Sequence, residues 1–211
     1  MAQTDVSKGS RGINVFIVEK NWKGVSVGNK ENKLGIRGSD TTSVMFNDVK
    51  VPKENRIGAE GFGFTFAMKT LAGGRIGIAS QALGIASGAY ELSLKYSKER
   101  KAFGKEIMHH QAIQFKLADM ATRIDAARLL CLKAAWEKDN DMDYTLSSSM
   151  AKVYASETAM WTATEAVQIH GGYGFVKEYH VERMMRDAKI TQIYEGTSEV
   201  QRIVIGRSIL K

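Results

Sequence analysis

The chain has 211 residues, 44% hydrophobic and 25% charged, with 30 lysines and arginines against 23 acidic residues for a formal charge of +7. That length is one large domain or two small ones, and its apolar content excludes a disordered chain. One cysteine (Cys131), four histidines and a single proline (Pro52) leave no internal disulfide and no zinc-spaced ligand set, and no apolar stretch reaches the roughly 20 residues of a membrane span.

The lone cysteine points to a reducing compartment, and Met1 to Asp5 lack a basic-then-apolar signal pattern. The positive charge favours anionic partners. Its lysines and arginines are nevertheless scattered from Lys20 to Arg207, without a dense run or an RRM-type aromatic motif, which speaks against nucleic acid.

Residues 1–57 read as strands. Ile13, Val15 and Ile17 fall on one face of an extended segment, and Thr42 to Val51 alternates through Val44 and Phe46. Val25 to Val27 and Lys33 to Arg37 look like further short strands, separated by turns at Gly24, Gly28 and Gly38. These strands are too few and short to close a stable sheet domain alone, so 1–57 is expected to be part of a β-domain, followed by a helical domain over 58–211.

After Pro52 and the glycines at 58, 61 and 63 the period becomes helical. A helix is expected over about Phe64 to Lys98, although Gly73, Gly74, Gly77, Gly84 and Gly88 weaken it unless neighbours pack tightly there. The seam Ile113, Leu117, Met120, Ile124, Ala127, Cys131, Ala134 steps by four and three, with Asp119 and Arg123 paired outside it. Thr145 to Ile169, with alanines at 151, 155, 159, 163 and 166, is a third helix suited to close approach. A last helix starts after Gly196, with Thr197 or Ser198 as N-cap and Ser198 with Gln201 as a capping box. Long helices with short connections describe an antiparallel bundle, so the fold class is α+β, mostly α: a remnant of a β-domain followed by a four-helix-bundle-like domain.

Chemistry is thinly marked. The glycine stretches 58–63 and 171–174 lack the strand and helix context of a dinucleotide fold and the GK[ST] of a P-loop, so they read as turns. His109, His110 and His170 have no legible nucleophile beside them and read as surface or capping residues. Glu195 differs: it follows an apolar pair and precedes a glycine and a capped helix, where burial could raise its pKa and make it a general base.

Six motifs, in order, resemble the acyl-CoA dehydrogenase family, most closely its short-chain, butyryl-CoA branch. They are Lys33-Leu-Gly-Ile-Arg-Gly-Ser39, Gly74-Arg-Ile-Gly-Ile-Ala-Ser-Gln-Ala-Leu-Gly84, Tyr96-Ser-Lys-Glu-Arg-Lys-Ala-Phe-Gly104, Gln168-Ile-His-Gly-Gly172, Arg186-Asp-Ala-Lys-Ile-Thr-Gln-Ile-Tyr194 and Glu195-Gly-Thr-Ser-Glu199. The resemblance covers essentially the whole chain. It implies that an amino-terminal helical domain and the first part of a middle β-domain precede the equivalent of Met1, and that the chain is the carboxy-terminal part of such a protein.

The activity implied is FAD-dependent α,β-dehydrogenation of short-chain acyl-CoA thioesters, with electrons passed to electron-transfer flavoprotein, in the bacterial cytoplasm or mitochondrial matrix. Glu195 matches the family's base, and its backbone N–H would polarise the thioester carbonyl. Gly196 leaves room for the acyl chain, and Arg75 matches a substrate-binding position. Some branches carry the base just before Arg75, where Gly74 has no side chain to act.

Arg100 would pair with the FAD pyrophosphate and Phe103 would pack on the cofactor. Gln111, Gln168, Gly171 and Gly172 match further FAD contacts, usually to a neighbouring subunit's cofactor, and Thr197, Ser198 and Glu199 match contacts near the last helix. A homotetramer is implied, and no metal. Ala72 stands where relatives often have Asp, which bears on substrate binding or on Arg75. The competing expectation is a non-catalytic helical oligomerisation fragment of such an enzyme, which would bind no flavin.

Overall fold

The computed structural model describes residues 1–210, which group into two compact units: Met1–Lys33 with Arg37–Leu71, and Leu34–Ile36 with the chain from Ala72 onward. In the first unit lie β1 (Ala2–Gln3), β2 (Ile13–Phe16), β3 (Val25–Val27), β4 (Val44–Phe46) and β5 (Arg56–Ile57). Strands β1, β2 and β5 form an antiparallel sheet in which Ala2 faces Asn14 and Val15 faces Ile57; β3 and β4 form a separate antiparallel ribbon. Asn14 is buried and satisfied, donating to Thr4 Oγ1 at 2.6 Å and accepting from the Gly61 amide at 2.9 Å. Its neighbour Val15 is buried, but Ile17, expected on the same face, is exposed, although its amide donates to the Asn55 carbonyl at 2.9 Å.

The expected strand Lys33 to Arg37 is not one. Leu34–Ile36 belongs to the second unit, where Arg186 Nη1 donates to the Leu34 carbonyl at 2.9 Å and the Ile36 amide donates to Asp187 Oδ1 at 2.6 Å. A Cβ on Gly35 would stand 2.5 Å from the Arg186 carbonyl oxygen, so this approach requires glycine.

The second unit is helical: α1 (Gly63–Glu99), whose residues from Ala72 belong to it, then a small hairpin of β6 (Lys101–Ala102) and β7 (Lys105–Glu106), α2 (Gln111–Asp139), α3 (Thr145–His170), α4 (Val181–Thr191) and α5 (Ser198–Ile209). The mostly helical fold and the long helices agree with the periodicity. The reading passed over α4, although Val181, Met184, Met185 and Ala188 recur at helical spacing. Side-chain contacts fix the directions. Lys116 bonds Glu165 and Ser147 bonds Glu137, so α2 and α3 are antiparallel. Arg75 meets Ser149 and Tyr96 stacks on His170, so α1 runs alongside α3 in the same sense.

Alanine makes that packing close. Ala79, Ala82, Ala86 and Ala89 of α1 and Ala151, Ala155, Ala159, Ala163 and Ala166 of α3 are all fully buried, with Met120, Ile124, Ala127, Cys131 and Ala134 from α2. Buried Ser93, Ser149 and Ser156 return their hydroxyls to carbonyls of their own helices, so the small polar residues cost little. The glycines of α1 divide into two kinds. Gly74 and Gly88 meet Glu195 and Met184, as tight packing requires, whereas nothing lies within 4 Å of a Cβ built at Gly77 or Gly84.

Candidate active site

The connection between α4 and α5 places Glu195. Its closure is local: the Ser198 amide donates to the Gln192 carbonyl at 3.0 Å, and Thr197, the N-cap of α5, accepts from the Val200 amide. Glu195 has φ +54° and Gly196 φ +89°. The first value is strained for a residue with a side chain, of order 1–3 kcal/mol, and persists only where its surroundings hold it.

Those surroundings are visible. Gln201 Nε2 donates to the carbonyls of Glu195 at 3.0 Å and Gly196 at 3.1 Å, and Lys152 Nζ donates to Gly196 O at 2.8 Å. The capping box expected of Ser198 and Gln201 is therefore not formed. Gln201 is fully buried and spent on the turn, and the Ser198 hydroxyl is buried without a partner among the described residues. Tyr194, before Glu195, bonds Gln81 of α1 through its hydroxyl.

The carboxylate points into the bundle. Glu195 Oε2 is buried with no hydrogen-bond partner among the described residues, and a Cβ on Gly74 would lie 2.6 Å from it. Gly74 thus opens the space the carboxylate occupies, and positions 74 and 195 address one point. Arg75, the next residue of α1, is buried, bonds Ser149 Oγ at 3.2 Å and leaves its Nε unpartnered. Burial lowers the Arg75 pKa, an effect the Glu195 charge opposes. Lys152 is fully buried; burial pushes its ammonium down to about 8 against the raising influence of Glu199 and Glu195.

Sequence reasoning missed Lys152, Gln201 and Tyr194. Lys152 was findable, because positions 148, 152, 155 and 159 share one helical face and the other three carry serine or alanine. Of the residues singled out, Glu195, Gly196, Arg75, Thr197, Ser198 and Glu199 do gather here, Glu199 being exposed on the first turn of α5.

The rest gather at the other end of α1. Gly74 and Glu99 are about 38 Å apart along the helix at ~1.5 Å per residue. There Tyr96, Arg100, Ile107, His170, Gly171 and Gly172 line a cavity of about 480 Å³, with the Arg100 guanidinium 5.7 Å from the centre of the Tyr173 ring. Gly171 has φ +59°, and both Gly171 and Gly172 stand open, with nothing within 4 Å of an added Cβ. Gln168 is exposed in the last turn of α3, and Gln111 is exposed as the first residue of α2.

Phe103, at the tip of the β6–β7 hairpin, is 95% exposed at φ +53°, an outlier for a bulky side chain. His170 corrects the sequence reading. It is a buried residue stacked 4.2 Å from the Tyr96 ring, its Nδ1 2.8 Å from the Ala166 carbonyl, and burial lowers its pKa.

Residues 61–210 match the sequence pattern described as acyl-CoA dehydrogenase, C-terminal domain. Over 210 residues the chain is 55% identical to the short-chain specific acyl-CoA dehydrogenase of Clostridium acetobutylicum and 54% identical to CarC, a subunit of the caffeyl-CoA reductase-Etf complex of Acetobacterium woodii, covering 100% of this chain and 55% of each relative. Butyryl-CoA dehydrogenase from Megasphaera elsdenii superimposes with a TM-score of 0.98 at 54% identity, again over 100% of this chain and 55% of that one. The chain spans about half the length of the curated relatives it matches.

Proposed function

Because the chain belongs to the acyl-CoA dehydrogenase family, we propose that it supplies the base and half of the cofactor contacts of an FAD-dependent enzyme acting on short-chain acyl-CoA thioesters. Glu195 is the base that removes the α-proton. The observation that carries this is its carboxylate, held at strained φ and buried against Gly74 with Oε2 free to accept a proton. The Glu195 amide has no acceptor among the described residues, so it is available to a thioester oxygen on which charge develops. Arg75 adds positive charge beside the site, and Gly196, without a side chain, lets the Gln201 amide approach the turn, a Cβ there standing 2.5 Å from Gln201 Nε2.

The Arg100 end fits the nucleotide part of FAD: a guanidinium for the pyrophosphate, bare glycine backbone at 171–172, and aromatic walls from Tyr96 and Tyr173. Bound FAD supplies the acceptor for the two electrons and the β-hydrogen, and electron-transfer flavoprotein is the partner that exchanges electrons with it. One relative is a reductase in an Etf complex; in that direction Glu195 returns the α-proton instead.

The two ends of α1 lie further apart than one FAD molecule is long, so within one chain they serve different cofactors. Thr197, Ser198 and Glu199 face the cofactor beside Glu195, while Arg100, Phe103, Gln111, Gln168, Gly171 and Gly172 face a neighbouring subunit's. Assembly, as a tetramer, is therefore part of the reading. The outer face of α2 supports it, since Phe115, Leu129, Leu132 and Trp136 are all about 60% exposed opposite the buried seam.

In the FAD-loaded enzyme that contains this chain, Glu195→Gln should keep FAD and acyl-CoA binding and lose turnover by about 10²–10⁴-fold. Turnover within about tenfold of the unsubstituted enzyme would reject Glu195 as the base.

A further inference from the structure

Lys152 is the largest side chain buried without any exposure. Lysine is rarely placed so, because an ammonium withdrawn from water loses hydration that only pairing restores. No carboxylate lies within ion-pair distance of it among the described residues; its one hydrogen-bond partner is the Gly196 carbonyl at 2.8 Å. Its place on α3 is otherwise filled by serine and alanine, and an apolar residue there would pack without that penalty. The fold alone does not account for a lysine here.

The turn it grips does. Glu195 and Gly196 both sit at positive φ, and a carboxylic residue stays there only if its flanking carbonyls are pinned. Gln201 pins both of them from α5, and Lys152 pins the second from α3. The charged groups that act on Lys152 are Glu195 of the turn, Glu199 of α5 and Arg75 of α1.

We propose that Lys152 is a positioning residue for the base: its buried ammonium locks the Gly196 carbonyl and so aims the Glu195 carboxylate into the space left by Gly74. This rests on Glu195 being the base. Loss of a purely structural lysine would cost stability and FAD loading without slowing the chemical step of the enzyme that remains folded.

The test measures the rate at which butyryl-CoA bleaches the flavin in a single turnover of the FAD-loaded enzyme that contains this chain. Lys152→Met removes both donor and charge at nearly the same volume. It should keep FAD, change KM little and slow flavin reduction by about a hundredfold. Lys152→Gln keeps an N–H for Gly196, so it should recover part of the rate and fall between Lys152→Met and the unsubstituted enzyme; it also gives the answer if the methionine variant does not load FAD.

Stability is an independent readout. The unfolded chain keeps the Lys152 proton to about 10.5 and the folded chain only to about 8, so stability should rise with pH across that window and lose this rise in Lys152→Met. A rate within about threefold of the unsubstituted enzyme, or a loss in Lys152→Met that Lys152→Gln does not partly recover, overturns the proposal. Retained turnover in Glu195→Gln would instead overturn the identity of the base, whatever the lysine variants do.

Discussion

The two ends of the helical unit solve opposite problems with similar residues. At the Glu195 end, Arg75 and Lys152 are buried, and their donors are spent on Ser149 and on a backbone carbonyl rather than on a carboxylate. At the other end Arg100 is exposed over Tyr173 and Phe103 projects almost wholly into solvent, while the one buried titratable group, His170, is stacked where the neutral ring is favoured. One end keeps charge dry so that it acts strongly over short distances. The other leaves the Arg100 guanidinium and the Phe103 ring bare to whatever approaches from outside the chain.

The sharpest way to break this contrast is Gly74→Ala. The added methyl falls where Glu195 Oε2 stands, and only the flexible carboxylate has to move. Flavin reduction should fall by about a hundredfold, while the melting temperature holds or rises slightly, because alanine replaces glycine within a helix. A parallel loss of stability would mean that Gly74 serves the fold rather than the base.

Gln201→Leu comes next. It removes the donor shared by two buried carbonyls and should destabilise the protein by about 1–3 kcal/mol, read by denaturant titration. A neutral result would leave Lys152 as the sole anchor.

Arg100→Ala touches only the open end. FAD affinity, measured by flavin fluorescence, should weaken about tenfold as a charge-assisted bond is lost, with the rate of the FAD-saturated enzyme unchanged.

The smallest effect belongs to His170. Its folded pKa lies below 6.5, so the unfolded chain binds the proton first as pH falls. Its contribution to stability is complete above about 6.5 and is lost as the pH drops through the folded value. His170→Phe, which keeps the stack, should melt with less acid sensitivity.

The legibility of the molecule followed its periodicity. Long helices with alanine every fourth residue, such as α3, carry their partners in their pattern, and their ends were read to within two residues. Short elements whose shape depends on distant atoms were not legible. Leu34 to Ile36 alternates like a strand, yet its path is decided by Arg186 and Asp187, about 150 residues further on. Glu195 stood out by its setting and by family resemblance, but its unpartnered oxygen and the cleft at Gly74 arise from three-dimensional approach. Lys152 escapes the pattern and Gln201 reads as half of a capping box for a related reason: the role of a buried polar residue is not legible until its backbone acceptor is seen.

The length of α1 has a consequence for mixtures of chains. If each chain lends its Glu195 end to one cofactor and its Arg100 end to another, every complete site is the joint product of two polypeptides. A chain crippled at Glu195 and a chain crippled around Arg100 then carry lesions that segregate: in a mixed assembly one site collects both faults and another collects neither. Two inactive proteins, unfolded and refolded together, regain turnover that neither shows by itself, and two lesions at the same end never do. Complementation of this kind maps residues to ends without any structure, and the separation of about 38 Å between Gly74 and Glu99 along α1 is what makes it available.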